Sequence, residues 1–335
     1  MKAIRLKGPG GLERLAMVEM DEPGAPQEGE ILVRLHASSL NYHDYLVALG
    51  TIPTADGLIP LTDGAGIVER LGAGVSEFAV GDHVVSCFFP DWQNGEAVPS
   101  VIAKVPGDSV DGYARERVVR PASWFTRAPK KYSDTETTTL TTAGLTAWRA
   151  LVSDGPLKAG EMVLILGTGG VSMFALQFAK MMGASTIVTS SSDEKLERAR
   201  ALGADHTINY KQYPSWADQV LARTGGRGVD HVIEVGGPAT LPQSISACRI
   251  GGHVALIGVL TGFSGPIPTV ALLTRQVRLQ GLQVGSRQQQ IEMIRALDAN
   301  DVKPVIDKTF PLEDLAEAFR YEASGAHFGK ICIEI

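Results

Sequence analysis

Cysteine is scarce in this chain and no apolar run is long. The 335 residues include three cysteines, Cys87, Cys248 and Cys332, far apart and odd in number. That excludes a disulfide framework or a C-x-x-C metal site and points to free thiols in a reducing cytosol. No segment approaches the roughly 20 apolar residues of a membrane span. The first residues, MKAIRLKGPGG, hold no apolar core for a secretory signal. Nor is there a basic excess: the formal net charge is −6, which argues against a nucleic-acid surface and a polybasic membrane patch. Repeats and low-complexity linkers are missing too. The expectation is a cytoplasmic protein with a small-molecule partner and, at this length, two domains.

What stands out instead is Val163 to Ala179, VLILGTGGVSMFALQFA. Four apolar strand formers run into Gly167-Thr-Gly-Gly170, and an amphipathic helix follows at once. A buried parallel strand takes a continuous apolar run. Glycines let the chain turn sharply and approach a ligand, and the helix start offers unpaired N–H groups and a positive dipole end to an anion. This is the physics of a dinucleotide pyrophosphate site, with Gly167, Thr168, Gly169, Gly170 and Val171 as its residues. Ser172 stands where a third glycine is usual, and is small enough for close helix–strand packing. Alone, the pattern fits a plain strand–turn–helix as well.

Strand and helix then alternate. Strands are expected at 186–189, 206–208, 230–235, 253–257 and 277–282. The intervening helices cover 194–202, capped by Asp193, 216–223, and 241–249 with Pro242 in the first turn. Six strands separated by helices predict an α/β fold with a doubly wound parallel sheet. The amino-terminal part has many short alternating strands bounded by Gly and Pro, as in a barrel-like β domain. The tail, residues 330–335, reads as a strand pairing with that domain.

Val80-Gly-Asp-His-Val84, Ala143-Gly-Leu-Thr-Ala-Trp148, Gly167-Thr-Gly-Gly-Val171, Leu202-Gly-Ala-Asp205 and Gly251-Gly-His-Val254 together resemble the medium-chain dehydrogenase/reductase superfamily. The resemblance covers essentially the whole chain. It implies a GroES-like β-barrel domain over residues 1–124, completed by 286–335, and a Rossmann domain over 125–285. Zinc-dependent members carry a catalytic Cys, a Gly-His-Glu segment and a later Cys or Asp. The matching positions here are Asn41, Leu61-Thr-Asp63 and Thr141-Thr-Ala143. A catalytic zinc takes about three thiolate, imidazole or carboxylate ligands, and only Asp63 qualifies; the stretch from Phe88 to Val118 also lacks the four cysteines of structural zinc. No metal is expected. The chain is similar to the zinc-free quinone and enone reductases, which keep Asn and Asp at Asn41 and Asp44.

The resemblance places Asn41, Tyr42, His43 and Tyr45 on a loop facing the nicotinamide. Asn41 would orient substrate or ribose, and His43 or a tyrosine would deliver a proton; Tyr42 and Tyr45 also suit pocket walls. Thr146 would touch the nicotinamide ribose, and Gly236, Gly237, Gly258, Val259 and Leu260 would flank the cofactor at strand ends. Lys330 would reach its phosphates, or else be an exposed lysine. An NAD-preferring enzyme places an acid where this chain has Ser190, followed by Ser191. Hydroxyls there, with Lys195 and a phosphate-contacting Tyr210, point to NADPH; alternatively the serines only open a helix. Asp193 suits either a helix cap or a ribose ligand. Phe89 and Trp92 are candidate pocket walls, and residues 276–282 an edge through which two subunits would join as a homodimer.

The expected function is zinc-independent, NADPH-dependent hydride transfer to quinones, enones or related activated alkenes. Two alternatives are an alcohol dehydrogenase with a His43 or tyrosine relay, and a non-catalytic NADPH-binding sensor or scaffold.

Overall fold

The structure, a computed structural model, describes residues 1–335. The chain divides into two compact units, Met1–Leu145 with Gly285–Ile335, and Thr146–Val284. The first unit extends beyond residue 124 because Phe125–Arg127 is a strand of its sheet, antiparallel to His83–Ser86. Phe125 is itself buried in that unit's core.

At the centre of the first unit lies Glu30–Ser39. It pairs antiparallel with Ala65–Leu71 on one side, and with Arg117–Pro121 and Lys330–Glu334 on the other. Its alternating apolar residues Ile31, Val33 and Leu35 meet Val68, Val84, Val118 and Phe125 in one core. Period-2 alternation puts one face inside and leaves the other to neighbours. The tail strand also runs parallel to Ile306–Pro311. Ile331 and Ile333 pack with Ile4, Leu40, Leu61 and Phe319 in a second core, so the chain's last residues close the unit of its first.

The second unit is a six-stranded parallel sheet in the order His206–Asn209, Ser185–Ser190, Met162–Leu166, Val229–Glu234, Cys248–Leu256, Arg278–Gly281. The two central strands are buried on both faces because helices cover both; Val163, Leu164, Ile165, Val232 and Ile233 are all fully buried, and Asp230, His231 and Glu234 are buried with their own partners. The order reverses between Met162–Leu166 and Val229–Glu234, and a ligand crevice forms beyond the strand ends at such a reversal. Two local expectations change. The helix from Leu241 ends at Ala247, and Cys248 already pairs with Val229. Ser192, not Asp193, caps the next helix by accepting the Lys195 N–H.

Candidate active site

In the first unit the loop after Glu30–Ser39 carries a buried polar network. Asn41 opens the helix Tyr42–Ala48, and the Asp44 carboxylate reaches back to the Asn41 N–H at 3.0 Å. Asp44 also accepts the Thr62 N–H at 2.9 Å and the Thr62 hydroxyl at 3.1 Å. Burial pushes the Asp44 carboxyl up, against the pull of these donors. Asp63, fully buried, accepts from Ser39 Oγ at 2.6 Å, Asn41 Nδ2 at 2.9 Å and Thr142 Oγ1 at 2.6 Å. Leu61 supplies the aim: its φ of 75° lies in the left-handed region, which costs a non-glycine residue on the order of 1–3 kcal/mol. The surrounding core and the Tyr113 N–H on its carbonyl hold it there. Leu61 occupies the position where the resemblance has glycine.

Asn41 does not suit the substrate-orienting role. Its amide nitrogen donates to Asp44 and Asp63, and its Oδ1 accepts from Lys330 Nζ at 2.6 Å. Both amide hydrogens are therefore committed inside the protein. Lys330 is also displaced from its expected role. With 3% of its side chain exposed, its ammonium donates to Leu40 O and Asn41 and lies 3.6 Å from Asp63. A phosphate has no access to a donor so enclosed.

His43 lies beside a carboxylate. Nε2 lies 3.2 Å from Asp108 Oδ2, and Nδ1 is buried without a partner. Burial alone would lower its pKa. The hydrogen bond to Asp108 and the charges of Asp44, Asp108 and Asp63 outweigh it, holding the imidazolium above its ordinary value. The ring meets Phe88 edge-on at 5.5 Å, and Phe88, Phe89 and Trp92 continue as a buried aromatic wall. Asp108 escaped the sequence reading because it is 65 residues from His43 and carries no motif. Tyr45 packs toward Phe319 against the core, and Tyr42 is exposed.

In the second unit, Gly167 has φ 72°, which lets the strand Met162–Leu166 turn into the helix Gly170–Met181. No side chain caps that helix start, so the first amides around Gly169, Gly170 and Val171 are left for an anion. Ser172 Oγ donates to Leu166 O at 2.7 Å, tying helix to strand where the third glycine would sit. Thr168 and Thr146 are buried. At Gly258 an added Cβ would fall 2.0 Å from Val235 O, so only glycine lets these two strand ends approach. Val259 is half-buried and Leu260 exposed beside it.

Glu234, which the sequence reading passed over, organises this end. Its buried carboxylate accepts from Gly236 N at 2.7 Å, Gly237 N at 3.0 Å, Thr240 Oγ1 at 2.6 Å and the Ser244 hydroxyl. The Gly236 amide is thus turned inward, and Gly236 offers a ligand only its lack of a side chain. A carboxylate ending an apolar strand two residues before Gly236-Gly237 is the available signal.

Ser190 is buried at the end of Ser185–Ser190, with Ser191 and Lys195 half-buried nearby. The Tyr210 N–H bonds to Ser190 O at 3.1 Å, and the Tyr210 ring is exposed. Asp193 accepts from Asn209 Nδ2 at 2.7 Å and Gln212 Nε2 at 2.9 Å, so its carboxylate is tied to the neighbouring strand end. The turn, the open helix start and the strand-end glycines fit a nicotinamide dinucleotide.

A catalytic zinc does not fit the first unit. Asn41 and Thr142 are neutral, and the oxygens of Asp63 and Asp44 are already filled by donors. No group of three His, Cys, Asp or Glu side chains is arranged to hold a metal ion.

Residues 27–130 match the alcohol dehydrogenase GroES-like domain family and residues 170–299 the zinc-binding dehydrogenase family. The chain is 42% identical over 334 residues to a zinc-type alcohol dehydrogenase-like protein of Schizosaccharomyces pombe, covering 97% of this chain and 96% of the relative. It is 30% identical over 344 residues to a 2-haloacrylate reductase of a Burkholderia species, covering 97% and 96%. A crystal structure of a putative alcohol dehydrogenase from Sinorhizobium meliloti superposes with a TM-score of 0.93 at 41% identity, covering 100% of this chain and 98% of that one. With its motifs, topology and strand-end glycines in agreement, the chain belongs to the medium-chain dehydrogenase/reductase superfamily and is an oxidoreductase.

Proposed function

We propose that this protein is a zinc-independent, NADPH-dependent reductase of quinones, enones and related activated alkenes. The observation that carries the reading is His43: an imidazolium favoured by three carboxylates, oriented by Asp108 through Nε2, with an unpartnered Nδ1. When bound, the nicotinamide supplies a hydride. An alkene conjugated to a carbonyl accepts it without a Lewis acid, provided the enolate that develops is stabilised and then protonated. Protonated His43 is the proton source on this side: its charge stabilises the developing enolate, it gives up a proton to carbon, and the imidazole recovers that proton from water. The aromatic wall excludes bulk water beside it. The relationship to a 2-haloacrylate reductase supports an activated alkene as acceptor.

A screen of NADPH oxidation across quinones, enones, ketones and alcohols, with metal content assayed in parallel, tests the reading. Turnover confined to activated acceptors supports it. Oxidation of simple alcohols with NADP, or activity lost to a chelator, would favour an alcohol dehydrogenase instead.

Ser190 in place of an acid supports NADPH, because its hydroxyl can donate to a 2′-phosphate that a carboxylate would repel, and Asp193 is engaged elsewhere. Ser190→Asp with Lys195→Ala is expected to cut the NADPH-over-NADH ratio of kcat/KM at least tenfold, the scale of one charge-assisted hydrogen bond, about 1.5–3 kcal/mol. An unchanged ratio rejects the assignment. A homodimer joined through the edge strand Arg278–Gly281, which pairs only with Cys248–Leu256, completes the reading, as does a cytoplasmic setting that keeps the three free cysteines reduced. No helix is long and apolar enough to cross a membrane.

A further inference from the structure

The register of the tail strand carries Lys330 to a particular place. Cys332 pairs with Ser39 and Ile333 with Ser38, so Lys330 comes alongside Leu40 and Asn41, where the central strand ends. Its ammonium is enclosed by oxygens alone: the Leu40 carbonyl, Asn41 Oδ1 and, at 3.6 Å, Asp63 Oδ2. A fully buried carboxylate without a neighbouring cation is strongly destabilising. Two such carboxylates, Asp44 and Asp63, lie in this network. Glu322 also faces Lys330, but burial pushes its carboxyl up to about 8 and its Oε2 has no partner. It is a neutral acid at pH 7 and does not compete for the ammonium.

We propose that Lys330 is the cation around which the acceptor site is built: its ammonium neutralises Asp63 and fixes the Asn41 amide. In zinc-type members a metal ion brings positive charge to the matching positions. Here an amine tethered to the last strand brings it. The amide orientation follows from the chemistry: an ammonium has no acceptor, so Asn41 must turn Oδ1 toward it, which turns Nδ2 toward Asp63 and Asp44. Lys330 is a positioning residue that acts through Asn41 and Asp63 and touches no substrate. The inference rests on the metal-free reading above, and on the proposed function only for its consequence in turnover.

Chemical rescue tests it. Lys330→Ala is expected to lower the unfolding temperature by roughly 5–10 °C and to reduce kcat for NADPH oxidation. n-Propylammonium, which replaces the missing stem and charge, is expected to restore both, and n-propanol neither. Adding Asp63→Asn to Lys330→Ala should recover part of the lost stability, because the stranded carboxylate is gone. If the alanine variant does not fold, Lys330→Met, which keeps the apolar stem, carries the comparison: adding Asp63→Asn to it should raise its unfolding temperature. The proposal is overturned if propanol rescues as well as propylammonium, if the double variant is no more stable than the single one, or if the wild-type protein retains one tightly bound zinc per chain. The stability readouts need no substrate. A wild-type protein that reduces no activated alkene, yet shows ammonium-specific rescue of stability, removes the functional reading and leaves this one standing.

Discussion

Replacing His43 with Gln lowers kcat for enone reduction by about 10²-fold, the lower end of what a positioned general acid contributes, and leaves the KM for NADPH unchanged. The imidazolium is the active form. Its folded pKa is raised above 6.5, so wild-type activity persists below that pKa and falls as pH climbs through it. Asp108→Ala removes both the hydrogen bond and one of the charges that raise it, so the alkaline limb of kcat moves to lower pH. In His43→Gln the limb disappears. A His43→Gln enzyme with wild-type kcat and an unaltered pH profile would show that solvent supplies the proton and that His43 only fills space beside Phe88.

The second large effect is on stability. His231 and His253 face each other across adjacent parallel strands, Nδ1 to Nδ1 at 3.4 Å, and His231 Nε2 is 3.1 Å from Glu161. Both rings are buried. With Nε2 of His231 donating to Glu161, its Nδ1 accepts, and His253 donates. That arrangement requires His231 neutral, and leaves His253 Nε2 without a partner that would favour its protonation. Burial, with Arg278 and His231 nearby, lowers the His253 pKa from 6.5 to about 3; burial likewise lowers His231. A depressed histidine pKa means that the unfolded chain takes up the proton first. The stability contributed by the neutral ring is complete above pH 6.5 and declines as pH falls toward 3. At pH 5 the loss from His253 alone is about 2 kcal/mol. Thermal unfolding measured between pH 8 and 4 should therefore slope steeply below 6.5. His253→Leu should flatten that slope even where its Tm at pH 8 is lower. Parallel slopes for the two proteins would rule the pair out as the acid-sensitive element.

The cofactor half was legible because it is local. VLIL followed by Gly167-Thr-Gly-Gly170 specifies strand, turn and helix start within a few residues, since a left-handed φ at Gly167 and a continuous apolar run have few other uses. The alternation after it announced the parallel sheet for the same reason. The acceptor half was legible only as a set of unusual residues at matched positions. Asn41 is legible, but as a residue orienting substrate or ribose, because nothing in its neighbours in sequence shows that both amide hydrogens are taken. Asp108 carries no signal, and Lys330 reads as a phosphate contact or an exposed lysine, because their partners are 65 and 289 residues away.

By itself, then, the sequence determined the two architectures, the glycine turn and the poverty of metal ligands, since each depends on residue type and short-range periodicity. The tertiary structure decided which charges meet. Strand register brought Lys330 against Asn41 and Asp63, and a distant loop brought Asp108 to His43. Electrostatic energy falls with distance and rises with burial, and neither quantity exists until the chain has folded.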